Sequence, residues 1–173
     1  KVEVDGDGSC LFHALAHQQG ALGGRGLDAG GLRRWCAEQF QTLPADTVVY
    51  GGYTLEHVLG TTLSLDSGLP PHARAALAKV KEETTWKGKA GAYAEFLLRK
   101  NRSGTYTTYG THLESHLIAH GHGLCIRTYK KESGESRGFL EIVETGNPAS
   151  PKAHLLFVRG IHYDLLVPDP AGA

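Results

Sequence analysis

Apolar and polar positions follow two different patterns along this chain, and the change of pattern divides it. From residue 9 to about residue 100 the apolar residues recur at three- and four-residue spacing, the stripe of a helix face. Leu11, Ala14 and Leu15 form the first such stripe, and the helix that carries them should close near Gly20. Asp28 is placed to cap a second helix running to about Phe40 and stopped by Pro44, with Leu32, Cys36, Phe40 and Leu43 on its inner face. Leu55, Val58, Leu59 and Leu63 suggest a short helix within residues 53–69. Pro70-Pro71 opens a further helix that buries Ala73, Ala76, Leu77 and Val80, and residues 90–100 form another around Tyr93, Phe96 and Leu97. In the last third short apolar runs replace the helical stripes. Strands are predicted over residues 123–129, 138–144, 152–159 and 163–167, with turns at 130–137 and 146–151. Helices first and strands last imply an α+β domain, a small and mostly antiparallel sheet packed by helices.

At 173 residues the chain is long enough for one domain with a sizeable core. Lys+Arg and Asp+Glu are both 18, so no basic excess marks it as a nucleic-acid binder, and no apolar run is long enough to span a membrane as a helix. The chain opens on Lys1 without a signal peptide, as expected of a domain cut from a longer protein. Its three cysteines, Cys10, Cys36 and Cys125, are widely spaced and form no CxxC pair, which suits free thiols in a reducing compartment.

Cys36 and Cys125 fall on apolar faces and read as core; Cys10 does not. It follows the glycine-rich turn Asp5-Gly6-Asp7-Gly8-Ser9, with Ser9 as candidate N-cap and no capping box, so it belongs to the first turn of a helix. Outward backbone N–H groups and the positive end of the helix dipole favour a thiolate there, and can lower a cysteine pKa from about 8.5 to roughly 3.5–7.5. The same N–H groups suit the oxyanion of an acyl-transfer intermediate. Near the other end, His162 and Asp164 stand two apart on a strand and so share a face, where a carboxylate can orient an imidazole and stabilise its charged form. Nucleophile, base and orienter together are the set of a cysteine hydrolase.

Other chemistries fit less well. Asp5-Gly6-Asp7-Gly8-Ser9 resembles the start of a calcium loop, but the glycine and glutamate positions of an EF-hand hold Cys10 and Ala16. His112, His116 and His120 recur at helical spacing, yet the intervening Glu114 is not where a zinc protease needs it, and a solvated or partly buried histidine face is the expectation. No metal and no cofactor is expected.

Asp7-Gly8-Ser9-Cys10-Leu11-Phe12-His13 resembles the nucleophile motif of the OTU (ovarian tumour) cysteine deubiquitinases, and His162-Tyr163-Asp164 resembles their terminal His-aromatic-Asp/Asn motif. Between them, Tyr109-Gly110-Thr111-His112-Leu113-Glu114 is similar to the family's Trp-Gly-x-x-x-Glu helix, with Tyr109 in place of Trp, and leads into the strand Leu124-Cys125-Ile126-Arg127. The three matches stand in family order; residues 20–103 carry none. The resemblance implies a papain-like OTU-type fold over residues 1–167, with 168–173 as tail or linker. It implies hydrolysis of isopeptide bonds after the terminal glycine of ubiquitin or a ubiquitin-like modifier. Cys10 is then the nucleophile, His162 the base and Asp164 the orienter, unless Asp5 or Asp7 takes that last part. The backbone of Asp7, Gly8, Ser9 and Cys10 is the oxyanion hole. Glu82, Glu83, Glu95 and Tyr163 are candidate contacts to ubiquitin, and Glu114 is a structural anchor. A monomer in the cytoplasm, the host's if the source is a virus or an injecting bacterium, completes the expectation, with ubiquitin conjugates rather than nucleic acid or membrane as partners. The alternatives are a polyprotein-processing protease using the same site and an idle ubiquitin-binding module.

Overall fold

In the computed structural model, residues 3, 8–21, 26–64, 71–131, 139–158 and 162–167 are described. Helix α1 (Cys10–Ala21) begins directly at the glycine turn, and α2 (Ala29–Thr42) begins where the Asp28 carboxylate accepts from the Gly31 N–H at 2.5 Å. A hairpin that the periodicity does not announce follows, β1 (Val48–Tyr50) and β2 (Tyr53–Thr54). Its two-residue loop is Gly51-Gly52, both at positive φ, which a tight hairpin turn matched to strand twist requires. Then come α3 (Leu55–Ser64), α4 (Pro71–Glu82) and α5 (Trp86–Leu98). The last of these starts four residues earlier than its apolar stripe suggests, because the Thr85 hydroxyl accepts from the Gly88 N–H. Helix α6 (His112–Gly121) is capped by Thr111 with a reciprocal box from Glu114.

The chain ends in β3 (Cys125–Lys131), β4 (Phe139–Thr145), β5 (Lys152–Val158) and β6 (His162–Leu165). Their order across the sheet is β4-β3-β5-β6, with β3–β4 and β5–β6 antiparallel and β3–β5 parallel. The α+β class and the mostly antiparallel sheet are therefore as expected. Most of the turn expected at 130–137 and the tail at 168–173 lie outside the described residues.

Two packing relations set the site. Helix α1 lies against β5 and β6 on one side and α2 on the other. The buried Gln18 side chain behaves as a piece of strand toward β5. Its Nε2 donates to the His154 carbonyl at 2.6 Å, and its Oε1 accepts from the His154 N–H at 2.7 Å. The same carbonyl accepts from Leu166 N–H at 3.0 Å, just past β6. This pair of bonds sets the axial position of α1 relative to the strands that end in His162 and Asp164. Among the described residues no helix is long and apolar enough to cross a membrane.

Candidate active site

Gly8 makes the entry to α1 possible. Its φ is +82°, and a Cβ there would stand 2.8 Å from the Tyr106 carbonyl oxygen and 3.2 Å from that of Thr108. Neither the backbone angle nor the space admits a side chain at low cost. Ser9 follows, and its carbonyl accepts the first helical bond, from His13 N–H at 2.8 Å. Its hydroxyl accepts from Arg33 Nη2 at 3.3 Å. Cys10 is thus the first residue of α1, the position in which the helix dipole favours a thiolate.

Exposure does not distinguish the three cysteines, since Cys10 is 1% exposed and Cys36 and Cys125 are fully covered. Their surroundings do. Burial pushes the Cys36 thiol well up, with the nearby Glu114 charge adding to it and Arg33 opposing. Burial, with the charge of Glu144, also raises Cys125. Both are held as thiols.

On β6, His162 Nε2 lies 3.0 Å from Asp164 Oδ1. The carboxylate is nearly covered, its side chain 3% exposed, whereas the imidazole is a quarter exposed. The strand alternation holds: both side chains share one face and Tyr163 points to the other. Because Nε2 is engaged by the carboxylate, Nδ1 is the ring nitrogen left to exchange a proton with a nucleophile. Tyr163 is buried and packs on Phe157, ring centroids 5.0 Å apart. Burial drives its phenol well above the ordinary tyrosine range, with the charges of Cys10 and then Glu114 adding to the effect. Helix α1, which starts with Cys10, packs against β6, and the burial of Tyr163 makes it an interior residue rather than an open contact surface.

The acidic candidates are scattered. Glu82 ends α4 and Glu83 follows it, both exposed, with the Glu83 carboxylate against the start of α5 at Gly88. Glu95 is exposed on α5 in a groove of about 430 Å³ that also holds Lys79 and Arg99. These residues belong to the α4–α5 pair, which carries neither Cys10 nor His162. Asp5 and Asp7 lie outside the described residues, so the backbone of Asp7 does too. The histidines of α6 divide: His116 is buried, and desolvation, with the His112 charge, lowers its pKa to about 4, while His112 and His120 are exposed. His116 and His120 line a cavity of about 600 Å³ between α6 and β1, which contains none of the candidate catalytic residues. Among the described residues no three metal-ligating side chains converge.

The middle motif braces α1. Gly110 is buried so close to it that a Cβ would meet Leu11 Cδ2 at 2.6 Å and Phe12 Cε2 at 3.0 Å. Glu114 anchors the following helix: its Oε2 accepts from the Thr111 N–H at 2.6 Å and the Thr111 hydroxyl at 2.7 Å, and its Oε1 from Tyr93 at 2.9 Å. Burial raises its pKa, and those three donors oppose the rise.

The architecture is that of a solved structure, an OTU deubiquitinase from Wolbachia pipientis wMel bound to ubiquitin, with a TM-score of 0.56 over 96% of this chain and 93% of that one. The chain has the OTU fold. Identity across the OTU-fold superposition is 13%, and no family model and no curated protein matches the sequence. Within the OTU fold, one residue that sequence reasoning passed over stands out. Arg33 of α2 is fully buried and sits directly behind the Gly8–Ser9 turn. An arginine at an inward position of an apolar helix stripe was the one signal available for it.

Proposed function

We propose that this protein is a cysteine deubiquitinase that cleaves the isopeptide bond after the terminal glycine of ubiquitin or a ubiquitin-like modifier. The observation that carries the reading is the His162–Asp164 pair, 3.0 Å apart on β6, the strand packed against the helix that starts with Cys10. The neighbour of the same fold is a deubiquitinase bound to ubiquitin, and that supports the choice of substrate.

The chemistry follows from the groups. The Cys10 thiolate attacks the carbonyl carbon of the terminal glycine, a C–S bond forms, and the carbonyl oxygen becomes an oxyanion facing the N–H groups of the Gly8-Ser9-Cys10 turn. When the oxyanion collapses, the C–N bond breaks and the His162 imidazolium gives its proton to the departing lysine amine. Water, deprotonated by the now neutral His162, hydrolyses the thioester and restores the thiolate–imidazolium pair. Asp164 keeps the imidazole oriented and its charged form stabilised throughout. Every step is served by side chains and backbone of this chain.

The test is a ubiquitin carrying an electrophile at its C-terminus, incubated with the wild-type protein and with Cys10→Ala. A covalent adduct mapped to Cys10 and lost in the variant is the expected result. Non-covalent binding without an adduct would make the protein a binding module, and cleavage of peptide substrates with no capture of the ubiquitin probe would make it a peptide-bond protease.

A further inference from the structure

Arg33 is a full positive charge with no exposed surface. Placing a guanidinium there is costly unless its donors are engaged, and both terminal nitrogens are, chiefly by backbone oxygens from separate parts of the chain. Nη2 donates to the Gly8 carbonyl at 2.6 Å and the Thr108 carbonyl at 3.0 Å, and Nη1 to the Leu97 carbonyl at 2.9 Å and the Thr108 hydroxyl at 3.0 Å. Its Cζ lies 4.4 Å from the centroid of the Phe12 ring and 4.2 Å from that of the Tyr106 ring. Phe12 belongs to the first turn of α1, so the guanidinium grips the nucleophile helix and the turn before it at once, and ties both to the 106–108 loop.

The Gly8 carbonyl is the informative partner. A peptide unit is planar and trans, so its C=O and the N–H of the next residue point in opposite directions. With the Gly8 oxygen drawn inward to Arg33, the Ser9 N–H is turned away from the core, and the Gly8–Ser9 plane cannot rotate without breaking the shortest of the Arg33 bonds. We infer that Arg33 is the positioning residue of the oxyanion hole: it holds the Gly8–Ser9 peptide with its N–H side toward the reacting carbonyl. Arg33 does not touch substrate. It acts through a backbone plane, and only a planar donor fork of this size reaches all these oxygens while packing against two rings.

The inference rests on the cysteine-hydrolase reading, so its test uses chemistry that needs no ubiquitin. Acylation of Cys10 by p-nitrophenyl acetate forms a C–S bond through an oxyanion and expels nitrophenolate. Alkylation of Cys10 by iodoacetamide displaces iodide from a saturated carbon and forms no oxyanion. The variants are Arg33→Lys, which keeps the charge but not the fork, and two milder ones that loosen the grip from the far side, Tyr106→Leu and Thr108→Val. Rates are expressed per Cys10 titrated, so that unfolded protein is not counted. The expected result is a tenfold or greater fall in the ratio of acylation to alkylation for Arg33→Lys, smaller falls in the same ratio for the other two, and an unchanged pH profile of alkylation. Removal of an oxyanion donor outright costs about 10²–10³-fold, so a partial misalignment belongs below that. An unchanged ratio in Arg33→Lys, or in both milder variants should Arg33→Lys not fold, would reduce Arg33 to a packing residue. A wild-type protein that is acylated but never captures or cleaves ubiquitin would overturn the substrate reading and leave the role of Arg33 standing; a Cys10 that reacts with neither reagent would overturn both.

Discussion

Replacing Asp164 tests the reading at its most quantitative point. The carboxylate is nearly fully covered, and its Oδ1 accepts from His162 Nε2 at 3.0 Å. A hydrogen bond between charged partners contributes about 1.5–3 kcal/mol, and one between neutral partners about 0.5–1.5 kcal/mol. Asp164→Asn keeps an acceptor oxygen in place and loses the charge, a difference of about 1–1.5 kcal/mol. If that difference is felt when the imidazolium forms, turnover falls roughly five- to thirteenfold, at 1.36 kcal/mol per tenfold. Asp164→Ala loses the whole interaction and the orientation with it, so turnover should fall roughly 10- to 150-fold. Both effects should be smaller than that of Cys10→Ala, because a thiolate is already a strong nucleophile and depends less on the third member than an alcohol does. The assay is steady-state release of a fluorophore from the ubiquitin C-terminus, with active sites titrated by the electrophilic probe and folding checked by circular dichroism. The expected order is wild type, then Asn, then Ala, with KM little changed. A fully active, folded Asp164→Ala would refute the argument. If Asp5→Ala or Asp7→Ala then proved inactive, the orienting carboxylate would belong to the first loop.

Iodoacetamide near neutral pH should modify Cys10 ahead of Cys36 and Cys125, whose thiols are pushed up by burial, as peptide mapping at partial labelling would reveal. Gly110→Ala would force a methyl to within 2.6 Å of Leu11 Cδ2 and 3.1 Å of Leu11 Cβ, an overpacking of about 1–3 kcal/mol that should lower the melting temperature by roughly 2–12 °C and reduce turnover by shifting the first turn of α1. Glu114→Gln should be tolerated better than Glu114→Leu, because the amide oxygen can still accept from Thr111 while the Tyr93 hydroxyl turns to accept; Leu strands both partners and should cost about 2–4 kcal/mol in urea unfolding. His116, held neutral in the folded state with its pKa lowered to about 4, takes up its proton more readily when unfolded, at about 6.5. Its contribution is therefore complete above pH 6.5 and is lost as pH falls toward 4, by at most about 1.4 kcal/mol per pH unit, and His116→Gln should narrow its stability gap to wild type over that window.

The parts of this protein that local chemistry governs were legible in its sequence. A capping aspartate sets the start of α2, and apolar spacing locates five of the six helices and all four strands of the larger sheet to within a few residues. A glycine turn before a helix marks Cys10, and strand alternation puts His162 and Asp164 on one face. In each case the interacting groups lie within a few residues of one another, so residue type and spacing carry the signal. The two-residue Gly51-Gly52 turn carried such a signal too, in a stretch too short for periodicity to register. Tertiary structure alone decided the rest. Gln18 reads as a polar residue on a helix, yet it bonds to backbone 136 positions away. Arg33 reads as one charge among many, yet its acceptors lie 25, 64 and 75 positions away. Tyr163 follows a catalytic-looking histidine but faces the interior, and Glu82, Glu83 and Glu95 sit on a helix pair whose relation to α1 no local pattern specifies. The physical reason is common to all of these. A backbone carbonyl is the same acceptor at every position, so a side chain that binds carbonyls from distant segments has partners without sequence identity, and only the folded chain brings them within reach.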